Sequence, residues 1–403
     1  LQSLKTLDKI KENARAHNQI TFLLQILFFE KTIEALHITR SMQDRADQLA
    51  QELDEVNDRL QLISRLSNLS LQLYGWFIRN GVARNEKDEE AVQEFFVRNM
   101  PADLSACPGF YEKLYQYQSY CWYAYIRQDF LMYYRYTQRW VDLFEKEPFM
   151  LAVETSQYIK GMHNLLGANF DLLNDQKFRE TLKQFEAFSH SDLVTSNVNN
   201  RIQTFVYLYI SKLNQHFIDG TFTEGLSLVP YIEEKLSEYW IYLDRHRILV
   251  FYYKIACLYF GSGDYEKTID YLNKIINWKM DLRTDLQCYS RLLHLIAHYE
   301  LGNFEILEYL TKSVYRFMAK MESLSLVEEE IFKFLRKAFT VPPDQLKPEF
   351  GILLERLKAY EKSRFETRAF MYLDVISWLE SKIAGVPVQD VIRGKYLSGR
   401  RRE

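Results

Sequence analysis

The sequence predicts an all-α protein, an α-α solenoid built from antiparallel helix pairs. Three observations carry that reading. Gly (14) and Pro (8) are scarce in 403 residues, too sparse for turn-rich β architectures. Apolar residues recur at helical spacing nearly throughout, and no run of alternating β-branched residues bounded by turn signals makes a strand. In the middle of the chain, a helix rich in aromatics runs five times into a short polar turn, and an aromatic then opens another helix.

The prolines set the organisation. Pro101 and Pro108 fall in "MPADLSACPG", and Pro342, Pro343 and Pro348 in "VPPDQLKP". Proline disrupts helix interiors and restricts the residue before it, so these are the expected breaks. Residues 1–100 then form an N-terminal helical segment and 109–341 the repeats. Capping helices follow at 349–385 and a frayed basic tail at 386–403, with Arg393, Lys395, Arg400, Arg401 and Arg402. In the first segment Met42, Ala46, Leu49, Leu53, Val56, Leu60 and Ile63 recur at alternating spacings of four and three. That is a heptad seam, with acids such as Asp44, Asp47 and Asp58 off it. It suits one long helix packed within the chain, or alternatively a coiled-coil homodimer through residues 42–63.

The five turns read "IRQDF" to Phe130, "NDQKF" to Phe178, "IDGTF" to Phe222, "GSGDY" to Tyr265 and "ELGNF" to Phe304. By subtraction of their numbers, the aromatics stand 48, 44, 43 and 39 residues apart. Each pair has too small a core of its own and must bury its apolar face on the next. Pro230, inside the second-helix pattern of the third pair, predicts a kink or an early end there.

"YYKIACLYFGSGDYEKTIDYLNKII", residues 252–276, resembles the tetratricopeptide repeat (TPR). Tyr252, Ile255, Ala256 and Tyr259 match its first-helix core, Gly263 and Tyr265 its turn, and Leu272 and Ile275 its second-helix packing positions. Thr268 stands where the family usually has Ala. "LIAHYELGNFEILEYLTKSV", residues 295–314, resembles a further copy, and Gly220 with Gly225 fits a looser one. Every interval exceeds the family's 34 residues, so the repeats are lengthened and degenerate. The resemblance implies a right-handed superhelix whose first helices line a concave groove. Carried across the repeats, that register implies a partner-binding surface of Tyr115, Gln118, Trp122 and Tyr125, then Phe170. Tyr207, Asn214 and Phe217 follow, then Tyr253 and Phe260, and finally Tyr289 and Tyr299. The Lys/Asn/Arg carboxylate clamp of chaperone-docking members is not seen at these positions, which disfavours recognition of an acidic peptide C-terminus. The expected function is therefore a non-enzymatic scaffold that holds a protein or peptide against aromatic rings, which supply contact area at low entropic cost.

Other chemistries find little support in the residues. His294 and His298 share one helix face, but Leu295 replaces the Glu of the zinc-protease motif, so two structural histidines and no metal are expected. No phosphate-binding glycine loop or Gly-x-Ser-x-Gly elbow is present, so neither an enzyme nor a cofactor is expected. Glu328, Glu329 and Glu330 in "LVEEEIF" point in different directions from one helix and read as a helix start or solvated face. Lys+Arg 51 against Asp+Glu 54 leaves a charge of −3, which makes nucleic acid an unlikely partner. Cys107, Cys121, Cys257 and Cys288 form no Cys-x-x-Cys pair, the longest apolar stretch falls far short of a membrane span, and the expected location is cytoplasmic.

Overall fold

A computed structural model describes residues 2–37, 44–102, 109–278, 284–321, 325–338, 346–361, 363, 365–366 and 374–399. Among them the backbone is helical almost throughout, and no strand occurs. Met42, Cys107, Pro108, Pro342, Pro343 and the arginines at 400–402 lie outside the described residues. Internal contacts gather the chain into two compact units, residues 1–77 with 87–161, and residues 78–86 with 162–403.

The first unit opens with a hairpin, α1 (Gln2–Ala16) and α2 (Ile20–His37), followed by the long α3 (Asp44–Asn80). Leu49, Leu53 and Val56 of the heptad seam are buried against Ala14, Leu23, Ile26 and Leu27 of that hairpin, with Leu60 and Ile63 at its edge. The middle of the seam is thus covered from within the chain, while Ala46 stays exposed, so Leu49, Leu53 and Val56 are not free for a homodimer through residues 42–63. A polar knot lies in the same interface. Lys11, 4% exposed, reaches Glu30 at 2.8 Å and Glu52 at 3.0 Å. Arg45 also pairs with Glu30, and Arg15 with Glu52. Burial lifts the Glu52 carboxyl, but the hydrogen bonds and charges of Lys11 and Arg15 outweigh it and hold its pKa below the usual value.

Next come α4 (Glu86–Asn99), α5 (Phe110–Ile126), α6 (Phe130–Lys146), the short α7 (Phe149–Val153) and α8 (Thr155–Asp171), which continues into the second unit. Contacts between α3 and α5 advance in the same direction: Arg59 bonds Glu112 at 2.7 Å, and the Ser119 hydroxyl donates to the Leu66 carbonyl at 3.2 Å. The intervening α4 runs the other way, with Phe96 stacked on Tyr123 at 4.0 Å and Glu89 on Arg127.

In the second unit α9 (Asp175–Ser189), α10 (Asp192–Thr195) and α11 (Val198–Asp219) lead to a broken second helix. It consists of α12 (Phe222–Gly225), a 3-10 turn and α13 (Val229–Glu238), which carries Pro230 in its first turn. The kink or early end expected at Pro230 falls just before it: the interruption is the 3-10 turn at Leu226–Leu228, and α13 starts beside the proline. Then follow α14 (Arg245–Ser262), α15 (Tyr265–Ile276), α16 (Thr284–Glu300), α17 (Phe304–Lys320), α18 (Leu326–Ala338) and α19 (Leu346–Tyr360). Over residues 252–276 and onward, α14 packs on α15 and α15 on α16. The Thr268 hydroxyl, buried beside Ala256, is satisfied by the Asp264 carbonyl at 2.8 Å.

One turn recurs between paired helices. Gln128, Leu173, Gly220, Gly263 and Gly302 have φ of 59°, 51°, 67°, 88° and 72°. The N–H of the next residue donates to a carbonyl five residues back: Asp129 to Ala124, Asn174 to Asn169, Thr221 to His216, Asp264 to Tyr259 and Asn303 to His298. This is the Schellman termination, with a polar cap residue following at once. Asn18, at φ 56°, makes the same turn between α1 and α2, where Gln19 bonds Ala14. By subtraction, the left-handed residues of the five repeat turns stand 45, 47, 43 and 39 apart. Phe130, Phe222, Tyr265 and Phe304 open their helices as expected; in the remaining pair the equivalent position is Asp175, and Phe178 lies one turn further on.

The C-terminus departs from the expected frayed tail. After α20 (Val375–Ala384), whose first turn is capped by Asp374, the helix α21 (Val388–Leu397) packs on α11 and α14. Gln389 accepts from the Thr223 hydroxyl at 2.8 Å, Arg393 donates to the Asp219 carbonyl at 3.1 Å, and Arg179 donates to the Tyr396 hydroxyl at 2.9 Å. Within the capping region expected at 349–385, residues 367–373 lie outside the described residues. A Cβ on Gly220 would sit 2.4 Å from the Arg393 backbone nitrogen, whereas one on Gly263 would meet open space.

Two outcomes are expected. Gly263→Ala should lower unfolding free energy by about 1–2 kcal/mol for the left-handed backbone alone. Gly220→Ala should cost roughly 2–5 kcal/mol, because overpacking adds to that strain. In trypsin digestion, only Gly220→Ala should expose the Arg393 and Lys395 sites early. The second outcome concerns Glu328, which with Ser325 forms a reciprocal cap at the start of α18. Burial raises its pKa from 4.5 to about 7, with the Glu366 charge adding to the rise against the Ser325 bonds. Its contribution is complete below 4.5 and lost as pH rises through about 7. Wild type should therefore lose up to about 3 kcal/mol relative to Glu328→Gln across that window, read from urea unfolding at each pH.

Candidate partner-binding face

The proposed groove residues separate by burial. Tyr207, Asn214, Tyr253, Phe260 and Tyr299 are buried. Tyr299 is the hub of a ring cluster with Phe304, Phe334, Phe350 and Trp378, all with centroids within 6.4 Å, and Phe260 stands edge-on to Tyr265 at 5.4 Å. Tyr253, Phe260 and Tyr299 are therefore packing residues, and their assignment to a partner surface is corrected.

Tyr115, Trp122 and Tyr125 on α5 are partly buried, and Gln118 is buried. The N-terminal helix α3 covers much of this stretch. Tyr74 lies 4.7 Å from Trp122, Phe77 lies 5.5 Å from Trp122 and 5.3 Å from Tyr125, and Ser70 approaches Gln118. Tyr289 on α16 is partly buried as well.

Phe170, Asn214 and Phe217 come together around a residue not singled out in the sequence, Lys254. Its ammonium donates to the Asn214 Oδ1 at 2.6 Å and lies over the rings of Phe170 and Phe217 at 5.8 and 5.4 Å. Seven residues earlier on each of the same three helices stands a second tier: His163 on α8, Tyr207 on α11 and Arg247 on α14. His163 stacks on Tyr207 at 4.0 Å with 7° between the planes. Arg247 donates to the Tyr207 hydroxyl at 3.0 Å and lies over its ring at 5.0 Å. Two helical turns separate the tiers, roughly 10 Å along each axis.

The electrostatics of the two tiers are one-sided. Among the described residues, neither Arg247 nor Lys254 has a carboxylate within ion-pairing distance; their partners are a phenol, an amide and ring faces. Burial lowers the Lys254 pKa to about 8, against small opposing pulls from Cys257 and Asp171, so it stays charged at neutral pH. Burial, then the charges of Arg247 and Lys254, lower His163 to about 3, which keeps its imidazole neutral. Its buried Nδ1 has no hydrogen-bond partner among the described residues. Cys257, one turn beyond Lys254, is held as a thiol, burial pushing it up to about 12. The face is thus cationic and aromatic-walled.

His294 and His298 stand edge-on at 4.5 Å, and His298 bonds Asn303 at 3.0 Å in the following turn. Burial, with the neighbouring charges of His298 and Arg291, lowers His294 to about 4. Among the described residues no trio of His, Cys, Asp or Glu is placed to hold a metal, and no helix is long and apolar enough to cross a membrane.

Comparison with known protein families, with curated proteins and with solved structures finds no match.

Substitution at these tiers should separate from substitution in the core. Tyr299→Ala should cost about 3–5 kcal/mol of stability, since it empties the middle of a ring cluster. Lys254→Met removes a buried charge with little change in volume and should leave thermal unfolding unchanged or raise it.

Proposed function

We propose that the protein is a non-enzymatic, TPR-like scaffold whose hairpins stack as a right-handed solenoid and whose first helices hold an acidic peptide segment of a partner protein. The observation that carries this reading is the pair Arg247 and Lys254, two cations on one helix face with no carboxylate in ion-pairing distance among the described residues. A charge held in partly desolvated surroundings without a partner is costly, and an incoming carboxylate removes that cost. The repeating turn and the parallel contacts from α8 to α11 to α14 support the stacking. The free thiols Cys121, Cys257 and Cys288 accord with a cytoplasmic setting.

The spacing suits a segment whose acidic groups are about 10 Å apart, with apolar atoms between them lying on Phe170 and Phe217. Nucleic acid is a poorer fit, because two cations on a chain of net charge −3 make no extended basic stripe.

Fluorescence anisotropy with a labelled hexaglutamate peptide at low salt tests this reading. Saturable binding is expected, weakened at least tenfold in the Arg247→Gln/Lys254→Gln double variant and unchanged by Lys267→Gln on the exposed surface. Affinity should fall as pH rises through about 8, where Lys254 loses its proton, and Lys254→Gln should remove that dependence. Binding that ignores the double variant, or tighter binding of a hexauridine RNA, would refute the proposal.

A further inference from the structure

The outward side of α2 carries an apolar surface that the rest of its unit leaves uncovered. Phe22, Phe28, Phe29 and Leu36 are 58%, 56%, 65% and 75% exposed, and Ile10 of α1 and Phe149 of α7 extend the patch. Phe22 and Phe29 border an open groove of about 440 Å³ floored by Ala14 and Ile26, with His17 against Phe149 at its end. The six exposed side chains amount to roughly 700 Å² per chain, more than a monomer usually leaves to water.

We propose that a second copy of this chain covers this surface, its α2 crossing the first antiparallel about a two-fold axis at Gln25. The pattern is its own complement. Phe22 lies three residues before Gln25, and Phe28 and Phe29 three and four after it. An antiparallel pair centred there sets Phe22 of each chain against Phe28 and Phe29 of the other, as an isologous interface requires. At the axis each Gln25 meets its own copy, and a carboxamide is both donor and acceptor, so the pairing is satisfied.

Charge permits the arrangement. No charged residue occurs from Ile20 to Phe29, and Glu30 turns inward to Lys11 and Arg45. Two copies therefore bring no like charges together. The area also suffices: two chains would bury roughly 1,400 Å², within the range of stable dimers. A lipid surface is a poorer occupant, because the rim mixes exposed Asp8 and Glu12 with Lys9 and Lys31 rather than forming a basic belt.

Sedimentation equilibrium on the full chain, with cross-linking, is the test. Wild type should be a dimer at micromolar concentration, and Phe29→Glu should weaken association at least a hundredfold with unchanged helicity and melting. Gln25→Cys, oxidised under mild conditions, should form a cross-linked dimer through that residue, whereas Thr32→Cys, two turns from the axis, should not. A monomeric wild type, association that survives Phe29→Glu, or equal cross-linking at both positions would overturn the proposal. So would a monomer that binds phosphatidylcholine–phosphatidylglycerol vesicles through Phe29. Because the surface lies in the first unit, this outcome is independent of peptide binding at Arg247 and Lys254.

Discussion

The architecture depends on one backbone event repeated along the chain: a single residue enters the left-handed region, and the next amide reaches back five residues to close the preceding helix. The geometry satisfies a carbonyl the helix would otherwise leave open, and places a cap residue where the next helix must begin. Reversal of direction thus costs very few residues. With so short a link the two helices must lie side by side, and their apolar stripes then demand a neighbour. The C-terminal helix depends on the same event, since the bare Cα of Gly220 leaves room for the backbone at Arg393.

This device was legible where glycine performs it and hidden where glycine does not. Gly220, Gly263 and Gly302 marked their turns in the sequence. Gln128, Leu173 and Asn18 adopt the same conformation with a full side chain, so no glycine marks the α1–α2 hairpin, and Phe178 stands three residues past the position that opens α9. Non-glycine residues accept this region at a cost of about 1–2 kcal/mol, which tertiary packing readily offsets and no local pattern announces. The C-terminal helix was missed for a related reason. Its glycines and arginines read as a loose end, while what holds it are contacts with α11 and α14, distant in sequence.

The partner face shows how finely register matters on a helix. The repeat register carries Tyr207 and Asn214, seven residues apart on α11, and then Tyr253 and Phe260 on α14. The side chains that meet Tyr207 and Asn214 are Arg247 and Lys254, one residue forward in register. A one-residue step turns a side chain by about 100°, enough to carry it from a lined face into the core. Aromatic composition could not reveal the slip, because rings serve both places. A lone lysine within "YYKIACLYFG" was the available signal: a charge amid apolar helix survives only where something compensates it.

The heptad seam makes the complementary point about periodicity. A stripe at alternating spacings of three and four says that a helix has an apolar side; it does not say whose surface covers it. In α3 the cover is the α1–α2 hairpin, fastened by the Lys11, Glu30 and Glu52 knot. Spending one side of α2 on that contact turns its remaining aromatics outward. The same pairing that satisfies the seam therefore creates the bare surface around Gln25, and a chain this rich in rings meets its neighbour through the helix that was needed to shield its own core.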